Sequence, residues 1–320
     1  MDFVSTGNEE ARSWSIAYTV LVGVILLAVL PFTFLSLAKN HYGRDPARGF
    51  VPWLKAAFLL FCLTLCLLFV ALVLATCAAH DIGIGIEGLR AAYHMSYLSE
   101  LFQTLSAAAV MVTLLELGPG MHRAIQGVSS GFDKALKYFA WFLAFVVAAL
   151  AIAFYGLFID LAVNYSNGPG VIDRFGQGPE TVITINKLIA ATAIILWVAS
   201  LIITSLSVYT WLQRKTSPLK TASTLYLVAS LLNLLSSTWF FAYAVHWLLD
   251  PTESMGRYVA VLTVVLGWWT RGILLIIVYF IAVRSGTRGG VWSDTGHHHS
   301  LRDSDGYTNG TDYRQSYSGY

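Results

Sequence analysis

The segment Tyr258–Val283 places a charged residue at the centre of an apolar stretch long enough to cross a bilayer. A spanning helix takes roughly 20 residues, and Arg271 lies midway along this one, next to Trp268, Trp269 and two glycines. An arginine at mid-bilayer depth costs about 2.5–3.5 kcal/mol on insertion scales. The chain tolerates that cost only if other helices surround the charge and supply a partner. We therefore predict a bundle arranged about this last helix.

The composition indicates that lipid, rather than water, contacts most of the surface. The 320 residues are 56% hydrophobic and 12% charged, whereas soluble domains carry about 25% charged residues. Seven long apolar segments and no strand-like alternation predict an all-α fold, a polytopic seven-transmembrane-helix bundle. The predicted spans are Trp14–Leu37, Leu54–Ala79, Tyr93–Leu117, Tyr138–Val163, Val182–Leu212, Ala222–Leu249 and Tyr258–Val283.

Basic residues fall mainly in every second connecting segment, and this pattern predicts the orientation in the membrane. Twelve lie on the side that contains the chain's end: Lys39, Arg44, Arg48, Lys55, Arg123, Lys134, Lys137, Arg214, Lys215, Lys220, Arg284 and Arg288. Five lie on the other side: Arg12, Arg90, Arg174, Lys187 and Arg257. We expect residues 1–13 to be a short extracellular N-terminus, residues 14–283 the membrane domain, and residues 284–320 a disordered cytoplasmic tail. No pattern identifies the compartment, and the plasma membrane is preferred over an internal one.

The three cysteines and the loops predict one candidate glycosylation site and no disulfide framework or metal site. Cys62, Cys66 and Cys77 share one apolar segment, so we interpret them as buried apolar residues rather than a disulfide framework. No metal site or cofactor is expected. Asn164 begins an Asn-Tyr-Ser triplet in the longest outer loop and is the candidate for glycosylation, which would make the chain a glycoprotein.

Polar residues inside the spans are the candidates for function, because they are costly in lipid. Glu100, Gln103 and Thr104 share one face of the third span with Ser96, and Asn233 lies between Ser230 and Ser237 on the sixth. Glu100 is the expected partner of Arg271, directly or through a water, although it is predicted to lie nearer the outer surface. An alternative is that Arg271 binds backbone carbonyls beside Gly267 or Gly272.

Three further polar residues lie towards the predicted outer ends of their spans. Asp160, Lys187 and His246 could line the mouth of an outward-facing pocket together with His94. Alternatively, Lys187 extends to the lipid headgroups, and Asp160 caps a helix end in water. Either way, the candidate ligand-binding residues are Glu100, Gln103, Asp160, Lys187, Asn233, His246 and Arg271.

Seven helices with an outer N-terminus and an inner tail resemble the heptahelical receptor superfamily over about Trp14–Arg284. The resemblance is one of topology: the third span ends Leu115-Glu116-Leu117-Gly118 without Asp-Arg-Tyr, and no Asn-Pro precedes Tyr279. The chain is also similar in style to uncharacterised seven-helix membrane proteins of filamentous fungi. Because the Asp-Arg-Tyr and Asn-Pro motifs are absent, the resemblance to the receptors does not extend to coupling to G proteins.

The sequence therefore predicts a multi-pass membrane protein that acts as an orphan receptor-like or sensory protein. Its expected partners are the lipid bilayer, a small extracellular ligand and a cytoplasmic signalling protein at the tail, with no nucleic acid. The alternatives are a small-solute or lipid transporter or channel, which would use Glu100 and Arg271 along its path, and a structural interaction protein with no ligand. No catalytic motif is present, so we expect no enzyme activity.

Overall fold

The computed structural model describes residues 3–38, 46–79, 85–126, 131–165, 180–214, 220–249 and 258–283, and these residues form a helical bundle. Within those ranges no residue is in a strand. Seven helices are long and apolar enough to cross a membrane, which confirms the predicted fold class and a multi-pass membrane protein. The predicted N-terminal and C-terminal segments lie partly or wholly outside these ranges, as do most of the connecting segments.

The helices extend beyond most of the predicted spans. Their bounds are α1 Phe3–Ala38, α2 Val51–Ala79, α3 Gly85–Gln126, α4 Gly131–Tyr165, α5 Glu180–Arg214, α6 Lys220–Tyr243 and α7 Tyr258–Val283. A short 3-10 turn, Pro46–Arg48, precedes α2. Helix α1 continues through Pro31, and α3 continues through Pro119.

Hydrogen bonds between neighbouring helices fix an antiparallel register. Ser99 of α3 donates to the carbonyl of Thr64 in α2 at 3.0 Å, and Ser106 donates to that of Ala57 at 3.2 Å. A step of seven residues towards the C-terminus of α3 therefore matches a step of seven residues towards the N-terminus of α2, so the two helices run antiparallel. The same opposition holds for α5 and α6, where the Trp197 indole meets Thr238 and Thr204 meets the Ser230 carbonyl.

Helix α3 lies at the centre of the bundle, in place of α7. Inside the bundle, 78% of its most apolar stretch is buried, against 50% for α7 and 22–39% for the other five spans. The prediction that the spans would be arranged about the last helix is therefore wrong. The physical reason is the amount of polar surface: α3 must bury polar groups on several faces, including Ser99, Gln103, Ser106, Thr113 and Glu116.

Large apolar side chains cover the outside of the bundle. Leu27, Phe142, Phe145 and Ile152 are among those that expose more than half of their surface, as expected for groups that contact acyl chains rather than water. The three cysteines are free thiols and only half-buried, because α2 turns part of its surface outward. The prediction that all three are buried is wrong in this respect.

Two helices contain π-helical segments. Beyond Tyr243, α6 continues as a π-helical segment at Ala244–Leu248, and α7 contains a longer one at Thr263–Trp269, immediately before Thr270 and Arg271. A π-helical turn disrupts the regular hydrogen-bond ladder, and hydroxyl groups supply local replacements. Ser236 donates to the carbonyl of Gly267 at 3.2 Å, and Thr263 donates to that of Val259 at 2.8 Å.

We predict that Gly120→Ala destabilises the protein. A Cβ at Gly120 would lie 2.5 Å from the carbonyl oxygen of Ala47, a backbone atom that cannot rotate away. Overpacking costs about 1–3 kcal/mol, which exceeds the gain of about 1 kcal/mol in helix propensity. Gly156→Ala is the control, because nothing lies within 4 Å of its Cβ position. Thermal unfolding in nanodiscs should show a lower midpoint for Gly120→Ala alone; equal midpoints would contradict the close approach.

Candidate ligand-binding cavity

Glu100 and Arg271 lie well inside their membrane-spanning helices and line the same cavity. Ser99, the neighbour of Glu100, bonds to Thr64, which is the central residue of the span Val51–Cys77. Arg271 lies at the centre of Tyr258–Val283. Glu100 precedes the midpoint of its own candidate span, Arg90–Ala124, by about two turns of helix. The expectation that it lies nearer the outer surface than Arg271 stays a prediction.

A cavity of about 60 Å³ lies between α3, α4, α5, α6 and α7 at this depth. It brings together four of the predicted site residues, Glu100, Gln103, Asn233 and Arg271. The remaining lining residues are Thr104, Ala107, Met111, Phe154, Ile189, Thr192, Ala193, Leu196, Ser237 and Phe240. The cavity thus joins a carboxylate, two amides and a guanidinium within apolar walls.

The hydroxyl groups on the cavity wall already donate to their own helices. Thr104 donates to the carbonyl of Glu100 at 3.0 Å, Thr192 to that of Leu188 at 2.9 Å, and Ser237 to that of Asn233 at 2.7 Å. Such bonds to the preceding turn are common for hydroxyls within helices. The four larger polar side chains therefore provide most of the recognition chemistry of the cavity.

Arg271 is the most constrained of these groups. Its side chain is only 6% exposed, and no described residue accepts a hydrogen bond from its buried Nη1 atom. The guanidinium carbon lies 5.4 Å from the centroid of the Phe240 ring, in a cation–π arrangement. Among the described residues, Glu100 does not approach it within the 4.0 Å of an ion pair. The predicted direct contact is therefore not formed, and a water-bridged contact remains a prediction.

Close packing holds Arg271 in this position. A Cβ at Gly272 would lie 2.7 Å from Ile25 of α1, and one at Gly267 would lie 2.8 Å from Phe240 of α6. The indole of Trp269 donates to the carbonyl of Leu21 in α1 at 3.3 Å. The two glycines therefore allow α1 and α6 to press against α7 on both sides of the arginine. The alternative in which Arg271 binds carbonyls opened near Gly267 is not supported, since hydroxyls of Ser236 and Thr270 contact that carbonyl.

The other predicted ligand-binding residues do not line the cavity. Asp160, Lys187 and His246 are exposed on α4, on α5 and in the π-helical end of α6. His94 is exposed as well, and its ring meets Phe158 at 6.1 Å. Asn164 lies in the last turn of α4, and Ser166, which completes the glycosylation triplet, is outside the described residues.

Phe240 and Thr192 are cavity residues that the sequence did not suggest. Phe240 follows Asn233 and Ser237 at helical spacing on α6, so the polar stripe itself could have pointed to it. Thr192 has no such neighbour in sequence. Its position in the cavity depends on the packing of α5 against α3, which hydrophobic periodicity does not specify.

A second polar cluster lies at the end of the bundle where α3 ends and α4 begins. Glu116 is 8% exposed and accepts a hydrogen bond from the Trp141 indole at 2.9 Å. The ammonium of Lys137 lies 5.3 Å from the centroid of the same ring. Glu116 and Lys137 border a small cavity of about 50 Å³ together with Arg123 and Asp133. The signal that could have pointed to Glu116 is a carboxylate inside an apolar span.

Comparison of the chain with protein-family models, with curated proteins and with solved structures finds no match.

We predict that Arg271→Met raises the stability of the protein when no ligand is added. Methionine keeps much of the volume and removes a buried charge that has no ion-pair partner among the described residues. Replacement of buried ionic groups by apolar ones is often stabilising, by about 1–4 kcal/mol. Thermal unfolding in nanodiscs measures the change, with Arg90→Met as the control because Arg90 is exposed. A marked loss of stability in Arg271→Met would show that the guanidinium instead holds the bundle together.

We predict that Trp141→Phe destabilises the protein by about 1–2 kcal/mol, because the buried Glu116 carboxylate loses a hydrogen-bond donor. Phenylalanine retains much of the contact with Trp53, whose ring lies 5.9 Å from that of Trp141. Trp197→Phe is the matched control: it also loses one indole donor, but the acceptor is the neutral hydroxyl of Thr238. Denaturation curves that move equally for both variants would contradict a special role for Glu116.

Proposed function

We propose that this membrane protein is a receptor-like, sensory seven-helix protein that binds a small polar molecule in its mid-membrane cavity. The single observation that carries the proposal is Arg271: a nearly fully buried guanidinium on a cavity wall, with an Nη1 donor that meets no acceptor among the described residues. Ionisable groups at membrane depth are expensive and are usually retained for function.

The position of the cavity supports a sensory role. Its walls come from five helices, and a ligand that contacts all of them stabilises one relative arrangement of those helices over others. A ligand shifts a conformational equilibrium only through such a difference in affinity between states. Helix α7 is suited to respond, since its π-helical segment Thr263–Trp269 ends just before Arg271.

The second polar cluster lies towards the other end of α3 and is the proposed output site of the receptor. Glu116, Trp141 and Lys137 connect α3 to α4 at the face that the distribution of basic residues assigns to the cytoplasm. Helix α3 runs from the cavity to this cluster, so movement of α3 would reach both. We propose that a cytoplasmic signalling protein binds to that face and to the tail.

We expect at least one small polar solute to stabilise the wild-type protein but not Arg271→Met. A panel of carboxylates, amines, amino acids, amides and polyols would be measured by thermal unfolding in nanodiscs. The active solute should also change hydrogen exchange in the last turns of α3, because a receptor must transmit binding to its cytoplasmic face. Arg90→Met is the control and should respond like the wild type.

Two results would overturn the proposal. If no solute in the panel distinguishes wild type from Arg271→Met, the cavity is not a binding site for such molecules. If the active solute crosses liposome membranes containing the protein, and Glu100→Gln abolishes the flux, the protein is a transporter rather than a receptor.

A further inference from the structure

We propose that the ligand of the mid-membrane cavity is a small zwitterion that carries one ammonium and one carboxylate group, as the smallest amino acids do. This inference rests on the proposed function and specifies the chemistry of the same site. Arg271 would bind the carboxylate, Glu100 would bind the ammonium, and Gln103 and Asn233 would complete the hydrogen bonds.

The pairing of an acidic and a basic side chain in the cavity favours a zwitterionic ligand. The cavity contains one basic and one acidic side chain, Arg271 and Glu100, and the structure does not bring them together as an ion pair. A simple carboxylate ligand would give Arg271 a partner and leave the acidic Glu100 without one, and a simple amine would do the reverse. A zwitterion adds no net charge and gives each side chain a partner of opposite sign, which buried charges require.

The volume of the cavity favours a very small ligand. Its volume of about 60 Å³ is several times the ~10–15 Å³ that one water needs. It is far smaller than the ~300–1,000 Å³ of sites for drug-sized ligands. Glycine is the smallest amino acid that carries both groups, and β-alanine adds one methylene group, which moves the two charges further apart.

The hydrogen-bonding groups of the cavity wall match a carboxylate and an ammonium group. Arginine presents a planar set of donors that matches a carboxylate, and Phe240 already fixes one face of this guanidinium. The amides of Gln103 and Asn233 can donate to carboxylate oxygens or accept from an ammonium. The hydroxyls of Thr104 and Ser237 donate to their own helices and leave this recognition to the four larger side chains.

The test is direct binding of radiolabelled glycine and β-alanine to the full-length protein in nanodiscs. Acetate, methylammonium and an equimolar mixture of the two serve as competitors. We expect saturable binding of at least one amino acid, and at least about tenfold weaker binding in Arg271→Met and in Glu100→Gln, equivalent to about 1.4 kcal/mol. Glu180→Gln is the control: it removes an exposed carboxylate that lines neither this cavity nor the second polar cluster, and it should bind like the wild type. Melting curves confirm that each variant is folded.

Three outcomes would overturn the inference. Neither amino acid binds; acetate competes as well as the amino acid; or Glu100→Gln binds with wild-type affinity. In each case, a different solute that stabilises the wild type but not Arg271→Met would leave the proposed function standing with another ligand class. Failure of every solute in the wider panel would remove the proposed function itself.

Discussion

The membrane interior offers no hydrogen-bonding partner, and the whole arrangement of polar groups in this protein follows from that constraint. Each polar group in a span must find its partner inside the bundle. Most serine and threonine hydroxyls do so by donating to a carbonyl one turn earlier on their own helix. Other hydroxyls join helices: Ser99 and Ser106 donate to the carbonyls of Thr64 and Ala57, and the Tyr226 hydroxyl donates to the carbonyl of Leu114. These bonds fix the register of α3 against α2 and α6.

Helix α3 becomes the centre of the bundle because it contains the most varied set of groups that lipid cannot accommodate. Its small residues Ala107, Ala108 and Ala109 allow neighbouring helices to approach closely. Its polar residues serve two sites at different depths: Glu100 and Gln103 line the mid-membrane cavity, and Glu116 joins α4 near one end. A change at one site can therefore reach the other along a single rigid element.

Much of this structure could be predicted from periodicity and length. Seven apolar segments specify seven helices, and helical spacing placed Glu100 with Gln103 on one face. The central helix was predicted wrongly, because the prediction weighed one costly arginine in α7 and not the number of polar groups in α3. The missing ion pair was unpredictable for a different reason. Whether Arg271 meets Glu100 or Phe240 depends on the rotation and tilt of α6 and α7, which are set by contacts such as that of Gly267 with Phe240.

The energetics of Arg271 argue for a polar partner beyond the side chains that line its cavity. Placing an arginine at mid-bilayer depth costs about 2.5–3.5 kcal/mol, and a desolvated cation–π contact such as the one with Phe240 returns about 2 kcal/mol. The balance remains unfavourable, although Glu100, Gln103 and Asn233 line the same cavity with oxygen atoms. A residue whose role was to fasten helices would use those acceptors and close the cavity. The structure instead keeps the guanidinium against Phe240 with Nη1 free of a protein acceptor in the described residues. Small polar molecules that enter the cavity would supply the missing interaction, and this imbalance is the physical basis of the proposed binding role.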